Sequence, residues 1–279
     1  MLIQNCLTVD VEEWFHVCGV GGELACERWD QLPSRVVDTT RDLLALLDRC
    51  GVCATFFVLG WVAKRHPDLV GEIAGAGHEI GSHGYLHRRA YELTPDDFSE
   101  DLDLSLAALA SAGVRTVRGF RAPEWSINDR SIWALDVLVQ RGLRFDSSMA
   151  PLRIVGNPTY PQVPHRRATA AGELMEFPPF VERRFGQNLP LGGGWGLRMT
   201  DPGRVVAAIE ARNVRGTPVA LFVHPWELDA APPRASFPWP QQFAHYFRLA
   251  GFRDRLERVL RGASFAPMGE VLGLASFTS

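Results

Sequence analysis
The sequence predicts an α/β fold, a parallel barrel assembled from repeated strand–helix units in one domain, 1–279. Three observations carry this prediction. Short apolar runs, such as Val52 to Leu59, alternate with amphipathic stretches of helical period, such as Ser34 to Arg49, and that alternation describes parallel strands covered by helices. A polar residue able to do chemistry follows each of five strand candidates: Asp10, His83, Arg121, Asp146 and His224. Parallel barrels carry their functional side chains at strand C-termini. The chain also has 279 residues, 46% of them hydrophobic, with no internal repeat or low-complexity linker, which suits a single α/β barrel.

Taken in order, Leu2 to Val9 reads as a buried strand delivering Asp10-Val11-Glu12-Glu13. In extended backbone Asp10 and Glu12 point the same way, because side chains alternate. Ser34 to Arg49 is helical, with Val36, Val37, Leu43, Leu44, Leu46 and Leu47 as its apolar stripe and Gly51 just past its end. Val52 to Leu59 is a strand buried on both faces. Pro67 to Ala76 is a short helix, and Glu79-Ile80-Gly81 is a strand leading into Ser82-His83-Gly84-Tyr85-Leu86-His87. A helical turn there would place His83 and His87 on one face, an established way to hold zinc.

Thr94-Pro95-Asp96-Asp97 opens the next helix: Thr94 is the N-cap, Pro95 fits the first turn and the acids complement the dipole. It runs to Ala112. The strand Val114 to Phe120 delivers Arg121-Ala122-Pro123-Glu124-Trp125, a helix spans Asp129 to Arg141, and the strand Leu143 to Phe145 delivers Asp146-Ser147-Ser148. The alternation then breaks into a proline-rich excursion at about 149–200, with Glu173 to Val181 extended and Gly192-Gly193-Gly194-Trp195 as a tight turn. That turn lacks the Lys-Ser/Thr of a phosphate loop. Asp201 and Pro202 open a helix to Asn213, and the strand Val219 to Val223 delivers His224-Pro225-Trp226-Glu227. A proline-rich loop to Pro240, an amphipathic helix from Phe243 to Arg261 and the apolar stretch Ser264 to Leu274 complete a C-terminal extension at 243–279.

Composition excludes several classes. A net charge of -3 offers no basic footprint, so nucleic acid is not an expected partner. No apolar run is long enough to span a bilayer. The start, Met1-Leu2-Ile3-Gln4-Asn5, has no basic region or cleavage site, which predicts a cytoplasmic protein. The cysteines Cys6, Cys18, Cys26, Cys50 and Cys53 are odd in number and read as reduced packing thiols, with a Cys50–Cys53 disulfide or thiolate metal site as the alternative.

The strand-end residues form a chemical kit. His83, His87 and Glu12 make three protein ligands for a divalent metal, zinc foremost, and leave a position open for water. Glu13 is the rival carboxylate. Asp10 suits a general base and His224 a proton donor, with Arg121 holding Asp10 ionised and Asp146 favouring the imidazolium of His224. Such a kit suits hydrolysis of an amide. Trp14, Trp125, Trp195, Trp226 and Trp239 fall near strand ends or in loops, where aromatics stack on sugar rings or cap the core.

On these residues the chain resembles the polysaccharide deacetylases of the NodB-homology type, carbohydrate esterase family 4. Thr8-Val9-Asp10-Val11-Glu12, Ser82-His83-Gly84-Tyr85-Leu86-His87, Arg121-Ala122-Pro123, Asp146-Ser147-Ser148 and Leu221-Phe222-Val223-His224 match the five motifs in family order. The opening Asp10 to Phe15, Gly192 to Gly194, His224 to Glu227 and His245-Tyr246 resemble the branch found with bacterial exopolysaccharide and exosortase clusters. The resemblance implies a distorted barrel with fewer than eight strands, a divalent metal, and removal of acetyl from an N-acetylhexosamine of a polysaccharide. It also implies a substrate site around Tyr85, Pro123, Trp125, Trp195 and Trp226, with an oxyanion donor at the backbone near Tyr85 or His87. A substrate on a lipid carrier would place the protein at the inner face of a membrane. Two departures stand out. Val11 separates two acids that are adjacent in the family, and Glu124 stands where a small residue is usual. A hydrolase of small cyclic amides and a non-catalytic carbohydrate-binding protein are the alternatives on this scaffold.

Overall fold
The computed structural model describes residues 3–235 and 238–274. Leu2 of the first expected strand, residues 236–237 of the proline-rich loop and residues 275–279 of the expected extension lie outside it. The strands are β1 (Asn5–Val11), β2 (Thr55–Val58), β3 (Glu79–Ser82), β4 (Gly119–Phe120), β5 (Phe145–Asp146), β6 (His165–Thr169), β7 (Gly172–Glu176), β8 (Val181–Arg184), β9 (Gln187–Pro190), β10 (Ala220–Val223) and β11 (Phe265–Ala266). The helices are α1 (Val36–Cys50), α2 (Gly60–Arg65), α3 (Pro67–Gly75), α4 (Pro95–Ser111), α5 (Ala134–Gln140), α6 (Gly194–Met199), α7 (Pro202–Asn213), α8 (Trp239–Tyr246), α9 (Phe252–Gly262) and α10 (Met268–Val271). Among the described residues no helix is long and apolar enough to cross a membrane.

One curled sheet runs in the order β10-β1-β2-β3-β4-β5-β7-β6, with β11 on β1 off this path. Every neighbouring pair is parallel except β6–β7. The parallel strands at the centre, β1, β2 and β3, are buried along their whole length, as strands covered on both faces must be. No ladder joins β7 to β10. The gap is bridged by irregular backbone instead: Phe180 N donates to Ala220 O at 3.0 Å, and Phe222 N to Gly192 O at 2.7 Å. The stretch expected as an excursion therefore closes the barrel and contributes to its core through Phe180, Leu191 and Leu197.

Local signals place two helix starts. Thr94 caps α4 in a reciprocal capping box with Asp97, and Asp201 caps α7 by accepting from Gly203 N and Arg204 N. Gly51 ends α1 in the left-handed conformation at φ 64. The expected single helix from Phe243 to Arg261 is two. Arg198 donates to the carbonyls of Ala244, His245 and Phe247, which ends α8 by satisfying its last carbonyls, and Gly251 at φ 78 precedes α9. That break turns α8 toward the barrel mouth. All five cysteines are free.

Candidate active site and metal centre
Glu12, His83 and His87 come together at the C-terminal mouth of the barrel. All three are buried, and their ligand atoms lie within 4.8 Å of one another. Glu12 Oε2 stands 2.6 Å from His87 Nε2 and 3.7 Å from His83 Nε2. The histidines do not sit on a helical turn, as the i, i+4 spacing predicts. Residues 83–89 are a loop without regular structure. They converge because Gly84 takes φ 76 and His87 takes φ 52, and because the Asp101 carboxylate catches Tyr85 N at 2.6 Å and Leu86 N at 3.2 Å. Two left-handed residues within four fold the loop back on itself.

The donor set fits a divalent cation. His83 Nδ1 is hydrogen-bonded to Arg121 O at 2.7 Å, so its Nε2 is free to face Glu12. Glu12 Oε2 is buried with no hydrogen-bond partner of acceptable geometry, an orphan that costs free energy unless a cation or proton meets it. Burial alone would raise the Glu12 carboxyl, but His87, His224 and His83 hold it well below the usual range. Against the same desolvation, Glu12 pushes His87 well above its ordinary value. The cluster thus calls for positive charge at one point, and two imidazoles with one carboxylate are zinc ligands. Glu13 belongs elsewhere. Its carboxylate accepts from Ser34 Oγ and from Arg35 N at 2.9 Å, anchoring the start of α1.

Beside this cluster lie the acid and base candidates. Asp10 Oδ1 accepts from Arg121 at 2.8 Å. Arg121 is fixed in turn by Thr8 Oγ1 at 2.7 Å and by Ser147 Oγ at 2.8 Å. His224 Nε2 is 4.0 Å from Asp10 Oδ2 and 3.7 Å from Glu12 Oε1. Desolvation disfavours its imidazolium, but Glu12, Glu227 and Asp10 more than offset this and push His224 up to about 9.

The partner of His224 is Glu227, not Asp146. Glu227 Oε2 lies 3.1 Å from His224 Nδ1 and also accepts from His224 N at 3.0 Å. Its other oxygen meets the buried Arg198 at 3.1 Å. Asp146 is turned toward Ser148, bonding both its hydroxyl and its backbone N. It faces Glu176 in a wholly buried pair, in which desolvation raises Asp146 to about 6 and Glu176 well above the carboxylate range. A Pro directly after the capping residue and an acid three residues on is a capping-box pattern, and His224-Pro225-Trp226-Glu227 carries it; that signal points to Glu227.

Each glycine of the triplet allows a different close approach, and Gly194 allows this one. Gly192 pairs with the barrel backbone, and Gly194 begins α6 rather than closing a tight turn. A Cβ at Gly193 would overlap the Phe222 ring, and one at Gly194 would overlap the Glu227 carboxylate. We predict that Glu227→Gln lowers kcat about 10-fold or more with zinc affinity retained. An amide cannot stabilise the imidazolium as a carboxylate does, so the alkaline limb of the rate should move to lower pH. A pH–rate profile of kcat checks this, and an unmoved alkaline limb would refute it.

The expected substrate residues divide. Trp125 and Trp226 line the cleft with Asp10, Glu12, His83, His87 and His224, whereas Pro123, Tyr85 and Trp195 do not. Pro123 is buried beneath the turn it begins, where Glu124 and Trp125 both take left-handed backbone at φ 53 and 51. The Tyr85 ring packs at Gly60 and Ser105 on a groove between α2 and α4, and its N–H is committed to Asp101, so it is no oxyanion donor. Trp195 packs on Phe243 and Phe247. Three further lining residues were given no role at the site from sequence, although Glu124 and His245 stood out in the motif comparison. His16 is buried with Nδ1 accepting from Glu13 N at 3.1 Å, His245 stacks on Trp226 at 4.2 Å, and Glu124 pairs with Arg89 at 2.6 Å across the cleft rim.

A barrel with this set at its strand C-termini matches known proteins. The family profile described as Polysaccharide deacetylase matches residues 28–144, and one described as a domain of unknown function, DUF3473, matches 147–273. A peptidoglycan deacetylase-like protein from Gibberella zeae is 31% identical over 110 residues, 39% of this chain and 32% of that protein. A peptidoglycan-N-acetylglucosamine deacetylase from Bacillus cereus is 27% identical over 150 residues, 50% of this chain and 54% of that protein. A solved structure from Mycobacterium smegmatis assigned to the polysaccharide deacetylases shares the fold, with a TM-score of 0.64 at 24% identity over 97% of this chain and 90% of that one. The chain carries a polysaccharide deacetylase domain of the NodB, carbohydrate esterase family 4 type. It spans between about a third and about half the length of the two curated relatives named. The site draws on both matched segments and on neither: Asp10 and Glu12 precede the first, His83, His87 and Arg121 lie in it, and His224, Glu227 and Arg198 lie in the second.

Proposed function
We propose that the protein is a metal-dependent deacetylase of N-acetylhexosamine units in a bacterial polysaccharide. One observation carries this reading: the Glu12–His83–His87 cluster shares a cleft with a carboxylate and an imidazole, Asp10 and His224, placed 4.0 Å apart. The curated relatives named as peptidoglycan deacetylases support the class of substrate.

A divalent cation held by Glu12, His83 and His87 would supply Lewis-acid polarisation of the acetyl carbonyl and of a water. The chain's own groups do the proton work. Asp10, held by Arg121, takes a proton from the attacking water. His224, cationic and oriented by Glu227, gives its Nε2 proton to the amine, which is a poor leaving group until protonated. Trp125 and Trp226 offer apolar faces to the sugar ring. The complete set of residues favours this reading over a non-catalytic binding protein.

Acetate release from N-acetylated oligosaccharides tests it. We expect activity to vanish on chelation and to return with zinc. Release that persists after complete metal removal, or no release from peptidoglycan, chitin or exopolysaccharide fragments at any zinc level, would refute the assignment.

A further inference from the structure
Cys18 lies against the metal ligand His87, and none of the roles above uses it. The thiol makes two contacts with that one residue: Sγ donates to His87 O at 3.1 Å and stands 3.3 Å from His87 Nδ1. A thiol has a single hydrogen. With that hydrogen on the carbonyl, Sγ faces Nδ1 as an acceptor, so Nδ1 carries the ring proton. The Nε2 lone pair is then directed to the side where Glu12 Oε2 waits at 2.6 Å. Glu12 Oε2 is the buried oxygen without a hydrogen-bond partner, which independently marks that side as the place of a cation.

The same thiol bears on the backbone. His87 adopts φ 52, a region that costs a non-glycine residue of order 1 kcal/mol or more unless its surroundings hold it. The Cys18 bond to the His87 carbonyl is one such hold. Cys18 is tied down in turn. Arg89 NH2 donates to its carbonyl at 3.3 Å while Arg89 Nε bonds Glu124. Gly19, at φ 72, leaves room for that guanidinium. The loop after β1, the His83–Arg89 loop and the turn at 123–125 are thereby joined at one point.

We propose that Cys18 is a positioning residue for the metal site: its thiol sets the tautomer of His87 and holds its left-handed backbone, and so fixes divalent-metal affinity. This rests on the proposed ligand set Glu12–His83–His87. Histidine ligands usually donate their second nitrogen to a carboxylate or carbonyl, as His83 does, and losing that partner typically costs about 10–100-fold in metal affinity. Sulfur is a weak acceptor, but here it serves ring and backbone at once.

The test is zinc affinity of the full chain, measured by competition with a chromophoric chelator, for wild type, Cys18→Ser, Cys18→Ala and His83→Ala. Serine keeps one donor and an acceptor; alanine keeps neither. We expect Cys18→Ala to bind zinc about 10–100-fold more weakly and Cys18→Ser to stay within a few-fold of wild type, both measured well below their melting transitions. Wild-type affinity in Cys18→Ala, or equal weakening in serine and alanine variants, overturns the proposal. Failure of the ligand set itself looks different: wild type and His83→Ala would then bind zinc alike.

Discussion

Alanine in place of His224 is expected to lower kcat for deacetylation by about 10²–10⁴-fold, the usual contribution of general acid catalysis, with zinc affinity retained. His224 lies outside the ligand cluster, its Nε2 3.7 Å from Glu12 and 4.0 Å from Asp10. Its Nδ1 is held by the Glu227 carboxylate, at 3.1 Å. That carboxylate is braced by Arg198 at 3.1 Å, so the ring is set up as a cation rather than a ligand. Alanine removes the proton donor and leaves the amine to depart unprotonated. The sign of the pH effect follows. The working form is protonated, so activity in wild type is present below the His224 pKa and lost as pH rises through it. In the alanine variant that alkaline limb should be gone. Steady-state kinetics with zinc analysis measure both, and near-full activity with the limb intact would mean that another group gives the proton.

Asn at position 10 is the second large effect. Asp10→Asn should also cost about 10²–10⁴-fold in kcat, again with zinc bound, because Glu12 and not Asp10 belongs to the cluster. A further consequence separates this variant from the first. Arg121 is 1% exposed and pairs with Asp10 at 2.8 Å. Removing one partner of a buried ion pair typically costs about 3–5 kcal/mol, lessened here by the bonds Arg121 keeps to Thr8 and Ser147. The melting temperature should therefore fall clearly in Asp10→Asn and little in His224→Ala. Kinetics taken well below the transition isolate the chemical loss. An Asp10→Asn enzyme with wild-type kcat would move the base elsewhere, and one that loses zinc would make Asp10 a ligand.

Much of the site was legible because strand ends advertise themselves. Asp10, Glu12, His83, Arg121 and His224 each lie at the end of an apolar run, and β1, β3, β4 and β10 deliver them to one mouth. Asp146 follows the same rule and reaches the same end of the sheet, yet its carboxylate turns to Ser148 and Glu176. A strand fixes where a residue emerges, not which neighbour its short side chain meets. Tyr85 and Trp195 turn away from the cleft for a related reason. An aromatic near a strand end can equally pack on a neighbouring element: Tyr85 lies against Gly60, and Trp195 packs on Phe243 and Phe247.

The sequence by itself determined the order of the central strands and helices, the caps at Thr94 and Asp201, and the two histidines of the proposed metal cluster, because these depend on local periodicity, capping chemistry and side-chain type; it left Glu12 and Glu13 as rivals, which the structure separates. Tertiary structure alone decided how His83 and His87 meet, since left-handed backbone at Gly84 and His87 requires Asp101 and Cys18 to hold it. It alone decided that the irregular stretch through Phe180 and Gly192 closes the barrel, because irregular backbone pairs only with the edge it happens to reach. A local capping pattern brings Glu227 to His224, but the brace behind it, Arg198 on α6 and the space left by Gly194, joins segments that no local pattern connects.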